Sequence, residues 1–277
     1  MCIRVGVYVY CINTGSPAAE PQFSRSLNGG LSWDVQRIGY PSSSFPQCSG
    51  LHGHVAGGID GAVYRGNPSC EGPAVYRSLD GGYSWTDHTI TTEIGMQQGW
   101  HSHEVATAVD DAGNLHATWI GTDMMPWYAN SRDQGDTWSE PMMVAPPIGL
   151  NGTGFPVLTA GGPGQVALGY LGDSGGDTWN GYLTVITDVF SPMPLMTTVQ
   201  VNAWGDPLDT TADCGFNRCG GFGDFNDIVI DQYGRPWFGL AHNVGGEIGI
   251  FGTMAVGPSL RGNGTLTELP PGGPGTL

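Results

Sequence analysis

Apolar side chains in this sequence come in short alternating runs closed by Gly, Asp or Asn, a pattern of strands and tight turns rather than helices. One unit shows the plan. His54-Val55-Ala56-Gly57-Gly58-Ile59 leads through an Asp60-Gly61 turn to Ala62-Val63-Tyr64-Arg65, a loop, Ala74-Val75-Tyr76-Arg77, a polar octet, and a last run from Trp85 to Ile90. Asp-Gly between alternating apolar runs is a strong hairpin signal. The plan returns at 104–144 with a turn at Asp111-Ala112-Gly113-Asn114. It returns again near Phe155, turning at Gly161-Gly162-Pro163-Gly164, and from Phe225, turning at Asp231-Gln232-Tyr233-Gly234. Aligned on the unit at 54–90, residues 5–12 match a second strand, so the first unit is expected to lack most of its innermost strand. The pattern therefore predicts one partial and four fuller units.

The octets themselves repeat: Ser26-Leu27-Asn28-Gly29-Gly30-Leu31-Ser32-Trp33, Ser78-Leu79-Asp80-Gly81-Gly82-Tyr83-Ser84-Trp85 and Ser131-Arg132-Asp133-Gln134-Gly135-Asp136-Thr137-Trp138. Their tryptophans are 52 and 53 residues apart. A fixed period of that order marks stacked repeats such as propeller blades. Each octet reads as a turn in which Asp or Asn accepts backbone N–H bonds, Gly takes positive φ, and Trp packs beneath the hairpin.

The octets resemble the Asp-box, S-x-D-x-G-x-T-W, of the sialidase-like (BNR-repeat) β-propellers. The resemblance implies an all-β fold of four-stranded blades, six in that family against about five visible here, over a single domain at 1–277 whose N-terminus is expected to be incomplete. It also implies that Asn28, Trp33, Asp80, Trp85, Asp133 and Trp138 are structural, on the face away from the site. Gly172-Asp173-Ser174-Gly175-Gly176-Asp177-Thr178-Trp179 imitates a box but lacks Ser and Asp in their slots, and reads as a loop on the opposite face.

Composition narrows the partners. The chain has 277 residues, 47 glycines, 20 prolines and a net charge of −16, with arginine as its only cation. So acidic a surface argues against nucleic acid and anionic membranes, and no long apolar run predicts membrane insertion. Six cysteines, at 2, 11, 48, 70, 214 and 219, show no zinc-ligand spacing. An even count favours disulfides and a secreted or cell-surface protein, although no signal peptide is visible. A monomer is expected.

In a propeller, ligands bind at the mouth of the central channel, reached by blade-to-blade links and by the loops between second and third strands. Here these are 39–53, 93–103, 145–154 and 202–224, and 66–74, 121–128, 172–181 and 242–247. Cys48 and Cys70 fall there and can bridge; Cys214 and Cys219 can close a small loop; Cys2 and Cys11 are left as a pair or as orphans. His52, His54, His101 and His103 lead into the second and third inner strands, together with Trp100 and Glu104. Asp224 and Asp227 lead into the fifth, after Arg218.

Glycoside hydrolysis needs an acid and a base or nucleophile flanking one bond, which makes Glu104 and Asp224 the catalytic candidates, expected within about 10 Å of each other. His52, His54, His101, His103, Arg218, Asp227, Trp100 and Trp127 are the substrate-binding candidates, and Trp179 and Trp204 could also stack on sugars. The family's Arg-Ile-Pro motif and arginine triad have no match, and Arg25, Arg77 and Arg132 lie beside octets. No cofactor is expected; the Asp-rich loop at 173–177 could hold calcium, though Asp in a Gly-rich loop is more often a turn former. The resemblance thus implies a sialidase-type glycoside hydrolase acting on glycan termini. A non-catalytic propeller binding carbohydrate or protein is the alternative, and a structural surface module a third.

Overall fold

The alternating runs fold as antiparallel strands that hairpin onto one another in chain order, in a computed structural model that describes residues 2–5, 8–13, 22–35, 37–41, 54–69, 72–97, 104–144, 149–176, 178–208, 226–242 and 248–267. The first sheet holds β1 (Cys2–Val5), β2 (Tyr8–Asn13), β3 (Gln22–Ser26) and β4 (Arg37–Ile38). The second holds β5 (Val55–Gly57), β6 (Val63–Ser69), β7 (Gly72–Ser78) and β8 (Thr86–Thr89). The third holds β9 (Val105–Val109), β10 (Leu115–Ile120), β11 (Pro126–Ser131) and β12 (Met142–Met143). The fourth holds β13 (Gly152–Ala160), β14 (Val166–Asp173), β15 (Trp179–Ile186) and β16 (Met196–Gln200). The fifth holds β17 (Asp227–Ile230), β18 (Pro236–His242) and β19 (Ile248–Thr253), and a small hairpin of β20 (Gly257–Pro258) and β21 (Thr265–Leu266) follows.

Each sheet's first strand packs on the first strand of the next: β1 on β5, β5 on β9, β9 on β13, β13 on β17. That sequence of contacts arranges the sheets as blades around an axis, a β-propeller. The packing explains why middle strands lack polar alternation. Val63 joins the cluster with Phe23 and Tyr76 between blades one and two, while the next residue, Tyr64, joins Leu115 and Trp119 between blades two and three. Successive side chains point to opposite faces, and here both faces are interfaces.

The first blade differs from expectation. Cys2–Val5 is its innermost strand, in register with β2 from Cys2↔Cys11 to Val5↔Tyr8. A strand this short, joined to its neighbour through residues 6 and 7, leaves no room for the turn spacing used in blade two. Among the described residues the three-stranded blade is the fifth.

The three octets connect third to fourth strands in blades one to three and share one hydrogen-bonded turn. Ser26, Ser78 and Ser131 Oγ accept from the N–H of Gly30, Gly82 and Gly135 at 2.9, 2.7 and 2.7 Å. The Oδ1 atoms of Asn28, Asp80 and Asp133 accept from the N–H of Ser32, Ser84 and Thr137 at 2.9, 2.9 and 2.8 Å. Ser84 and Thr137 hydroxyls also donate to the second carboxylate oxygen, both at 2.6 Å. In the first copy the polarity reverses, and Asn28 Nδ2 donates to Ser32 Oγ. Burial alone would raise the Asp80 pKa, but bonds from Ser84, Ser78 and Tyr83 outweigh it and hold the carboxyl below its usual range. Thr137 does the same for Asp133.

The octet tryptophans do not all pack alike. Trp85 is 8% exposed and meets Phe23 of blade one edge-on at 5.2 Å. Trp138 packs, half-buried, on the cluster between blades two and three. Trp33 is 44% exposed, contrary to the expectation that each Trp lies beneath its hairpin. Trp85, by contrast, is covered by Phe23 of the neighbouring blade.

Arginines staple the same end. Arg25 of blade one donates to Tyr83 Oη at 2.9 Å, and Arg77 of blade two donates to Gln134 O and pairs with Asp136, both at 3.0 Å. Blades three and four are tied by Asp110. Its carboxylate accepts from Ala112 N–H and Asn114 N–H in its own turn, from His116 Nε2, and from Gly164 N–H of blade four at 2.8 Å. Burial opposes its ionisation, yet these bonds hold its pKa well below the usual carboxylate range. Since the carboxylate can only accept, His116 Nε2 carries the proton and Nδ1 faces the buried Tyr128 hydroxyl at 2.6 Å.

Candidate functional site

Inner strands all start at one end of the blades, and the octets and Asp-Gly-type turns occupy the other. His54 immediately precedes β5, Glu104 immediately precedes β9, β13 begins at Gly152, and Asn226 and Asp227 open β17. Hairpin connectivity therefore brings these residues, distant in sequence, to one mouth.

Contacts tie the starts together. His54 C=O accepts from Thr107 Oγ1 of the next inner strand at 3.3 Å. Burial lowers the His54 pKa, and the charge of Asp227, from blade five, opposes that shift. His54 is therefore a neutral imidazole at neutral pH, able to accept a proton, with a carboxylate in electrostatic range. Asp227 is exposed, and its Oδ1 accepts the N–H of Ile228 at 2.8 Å. Glu104 is half-buried at the position in blade three that His54 holds in blade two.

Between them the backbone is strained. Phe155 has φ of 51° within a break in the β13–β14 register between Gly154 and Val157. The buried Asn226 side chain fixes it, donating Nδ2 to Phe155 O at 2.9 Å. Met124, φ 66°, lies in the loop before β11, and its carbonyl accepts both the N–H and the hydroxyl of Thr153, at 2.9 and 2.8 Å. Non-glycine residues at positive φ cost about 1–3 kcal/mol and gather at functional sites.

Other candidates are placed as follows. Trp127 is half-buried against the core between blades two and three, and its indole N–H donates to the Asp123 carboxylate at 3.1 and 3.2 Å. His52, His101, His103, Trp100, Arg218, Asp224, Cys48, Cys70, Cys214 and Cys219 lie outside the described residues, so the expected approach of Glu104 to Asp224 does too. Asp173 accepts the N–H of Gly175 at 2.7 Å as a turn former. Among the described residues no group of three or more His, Cys, Asp or Glu side chains could hold a metal, and no helix is long and apolar enough to cross a membrane.

Two features escaped the sequence reading. His242, buried at the end of β18, faces Asp206 with Nε2 3.4 Å from Oδ2. Its place as the first residue of the mouth loop 242–247 was the available signal. The second is Arg4, on the innermost strand β1. Seven other arginines are engaged elsewhere. Arg25 and Arg37 meet Asp34, Arg65 meets Gly39 O and Asn67, and Arg77 meets Asp136. Arg132 lies 3.9 Å over the Phe190 ring, Arg235 bonds Met254 and Ala255 carbonyls, and Arg261 bonds Asp231 O.

No protein-family model matches the chain, and no curated protein does. Solved structures do. A polysaccharide lyase of family PL25, an ulvan lyase, superposes with TM-score 0.60 at 13% identity, over 98% of this chain and 70% of its own. A protein of unknown function from Dyadobacter fermentans gives 0.58 at 13% identity, over 91% and 74%. A mutant of the NanB sialidase of Streptococcus pneumoniae gives 0.54 at 14% identity, over 80% of this chain and 32% of the sialidase. This chain thus spans about a third of that sialidase. At such identities the likeness establishes the fold and no more.

Proposed function

We propose, from a propeller shared with sialidases and polysaccharide lyases, that the mouth is a carbohydrate-processing site and that the chain cleaves glycosidic bonds at glycan ends. The observation that carries this reading is the convergence of His54, Asp227 and Glu104 at the starts of three inner strands. Glu104 serves as the acid, donating a proton to the leaving oxygen. Asp224 supplies the second carboxylate, and His52, His54, His101, His103, Asp227, Trp100 and Trp127 shape the sugar subsite. An acidic sugar would be met by Arg218. The protein is secreted or displayed at the cell surface as a monomer, with Cys48–Cys70 and Cys214–Cys219 as disulfides.

A non-catalytic carbohydrate-binding propeller is the second reading, and the engagement of seven arginines with other groups of the protein favours it over a sialic-acid enzyme. One experiment separates them: fluorogenic sialosides and neutral exo-glycosides are assayed beside uronate-containing polysaccharides followed for unsaturated product. Turnover that Glu104→Gln lowers by about 100-fold or more, the scale of a lost general acid, supports the enzyme. Silence across the panel with retained glycan binding sinks it.

A further inference from the structure

A groove of about 630 Å³ lies on the outer half of blade four, at the same end of the blades as the mouth. Three elements build it: the loop between β14 and β15, strands β15 and β16, and the return of the chain over residues 201–208. Trp204, at the tip of that return, is 89% exposed. An exposed indole beside a groove offers an apolar face on which a ligand ring can stack.

The mount beneath Trp204 is firm. Asn202 is buried, and its side chain accepts from Gly181 N–H at 2.9 Å while donating to Asn180 Oδ1 and Asp206 O, both at 2.8 Å. Gln200 Nε2 donates to Asn202 O at 3.1 Å, Asp206 N–H to Ala203 O at 3.1 Å, and Leu208 N–H to Trp179 O at 2.8 Å. Gly205 takes φ of 80° to close the turn.

The floor follows from strand register. Tyr182 and Gln200 are direct cross-strand partners, with Thr184 and Thr198 beside them, so Asn180, Tyr182, Thr198 and Gln200 share one face. Gly172 makes room, since a Cβ there would come 2.8 Å from the Tyr182 ring. Burial raises the Tyr182 pKa, so its hydroxyl stays a donor at neutral pH, with Asn180 in hydrogen-bonding reach. Ser174 adds a hydroxyl at the rim. Among the described residues no charged side chain lines the groove, and the neighbouring Asp206 carboxylate is turned to His242.

We propose that this groove is a second carbohydrate subsite, separate from the mouth, that takes a neutral pyranose unit of a glycan chain. A rigid exposed indole matches the apolar C–H face of a sugar ring, and the amide and hydroxyl floor matches its hydroxyls. The lack of a cation among the described lining residues favours a neutral sugar over sialic and uronic acids, whose carboxylate needs a partner.

The test uses the full chain and saturation-transfer NMR with cellotriose, laminaritriose, N-acetyllactosamine and sialyllactose at millimolar concentration. At least one neutral oligosaccharide is expected to saturate, with the acidic one weaker. Trp204→Ala should raise its Kd roughly tenfold or more, as for an aromatic anchor. Trp204→Tyr should recover most of the loss, and melting should stay unchanged because the side chain is exposed. Turnover at the mouth should be the same in Trp204→Ala as in wild type, which separates this subsite from the mouth reading. Unchanged binding in Trp204→Ala, or no saturation by any neutral sugar, overturns the proposal.

Discussion

Replacing Asp110 by Ala tests how the blades are held together. The carboxylate lies at the seam of blades three and four, fully buried, and receives donors from both. Donors from Ala112 and Asn114 are in a surface turn, where water can replace the lost acceptor. Gly164 N–H and His116 Nε2 are buried and would be stranded. At about 1–3 kcal/mol for each buried donor left unpaired, the loss is about 2–6 kcal/mol. That is a large share of the roughly 5–15 kcal/mol available to a domain. Asp110→Asn keeps one acceptor oxygen and should lose about half as much. Urea unfolding reads the effect as a lower midpoint at unchanged slope. The pH dependence has a definite sign. The folded-state pKa is depressed, so this stability is present above the ordinary value of about 3.9 and is lost as pH falls through the folded value. Asp110→Asn should flatten that acid limb. A midpoint for Asp110→Ala within error of wild type would refute the seam argument.

The octets offer a paired comparison, since Gly30 and Gly82 hold the same place and both have positive φ. A Cβ at Gly82 would lie 1.9 Å from the Phe23 ring, whereas at Gly30 it meets only Trp33 at 3.9 Å. Gly30→Ala should cost about 1–2 kcal/mol of strain alone, and Gly82→Ala about 2–5 kcal/mol by denaturant titration. Arg77→Ala, which frees the third octet from blade two, should cost about 1–2 kcal/mol, because Asp136 is well solvated. Asn226→Ala removes the buried Asn226 Nδ2 bond to Phe155 O, and should cost about 1–3 kcal/mol and speed amide exchange in β13.

Much of the fold was legible because its signals are local. Asp-Gly turns and the Ser/Asp/Gly/Trp octets carry their own hydrogen bonds, so Asp80 and Asp133 behave as their spacing implies wherever they sit. Trp33 was misjudged for the complementary reason: its burial depends on a neighbouring blade, which no octet encodes. The short strand at Cys2–Val5 lacked the turn spacing that marks β5 and β9. At the mouth, the positions of His54, Glu104 and Asp227 followed from strand order. The Asp206–His242 pair did not, because it joins a link to a strand end through a fold-back visible only in three dimensions. Arginine roles were half legible: proximity to an octet flagged Arg25 and Arg77 as structural, but not that each serves the next blade.

Whether blades two and five face one another across the mouth is best decided by titrating His54 in the wild type and in Asp227→Asn, with His54→Gln to assign its NMR signal. Burial should place the wild-type value below that of an ordinary histidine, and removing the Asp227 charge should lower it further. A His54 titration indifferent to residue 227 would separate the two strand starts and dismantle the site.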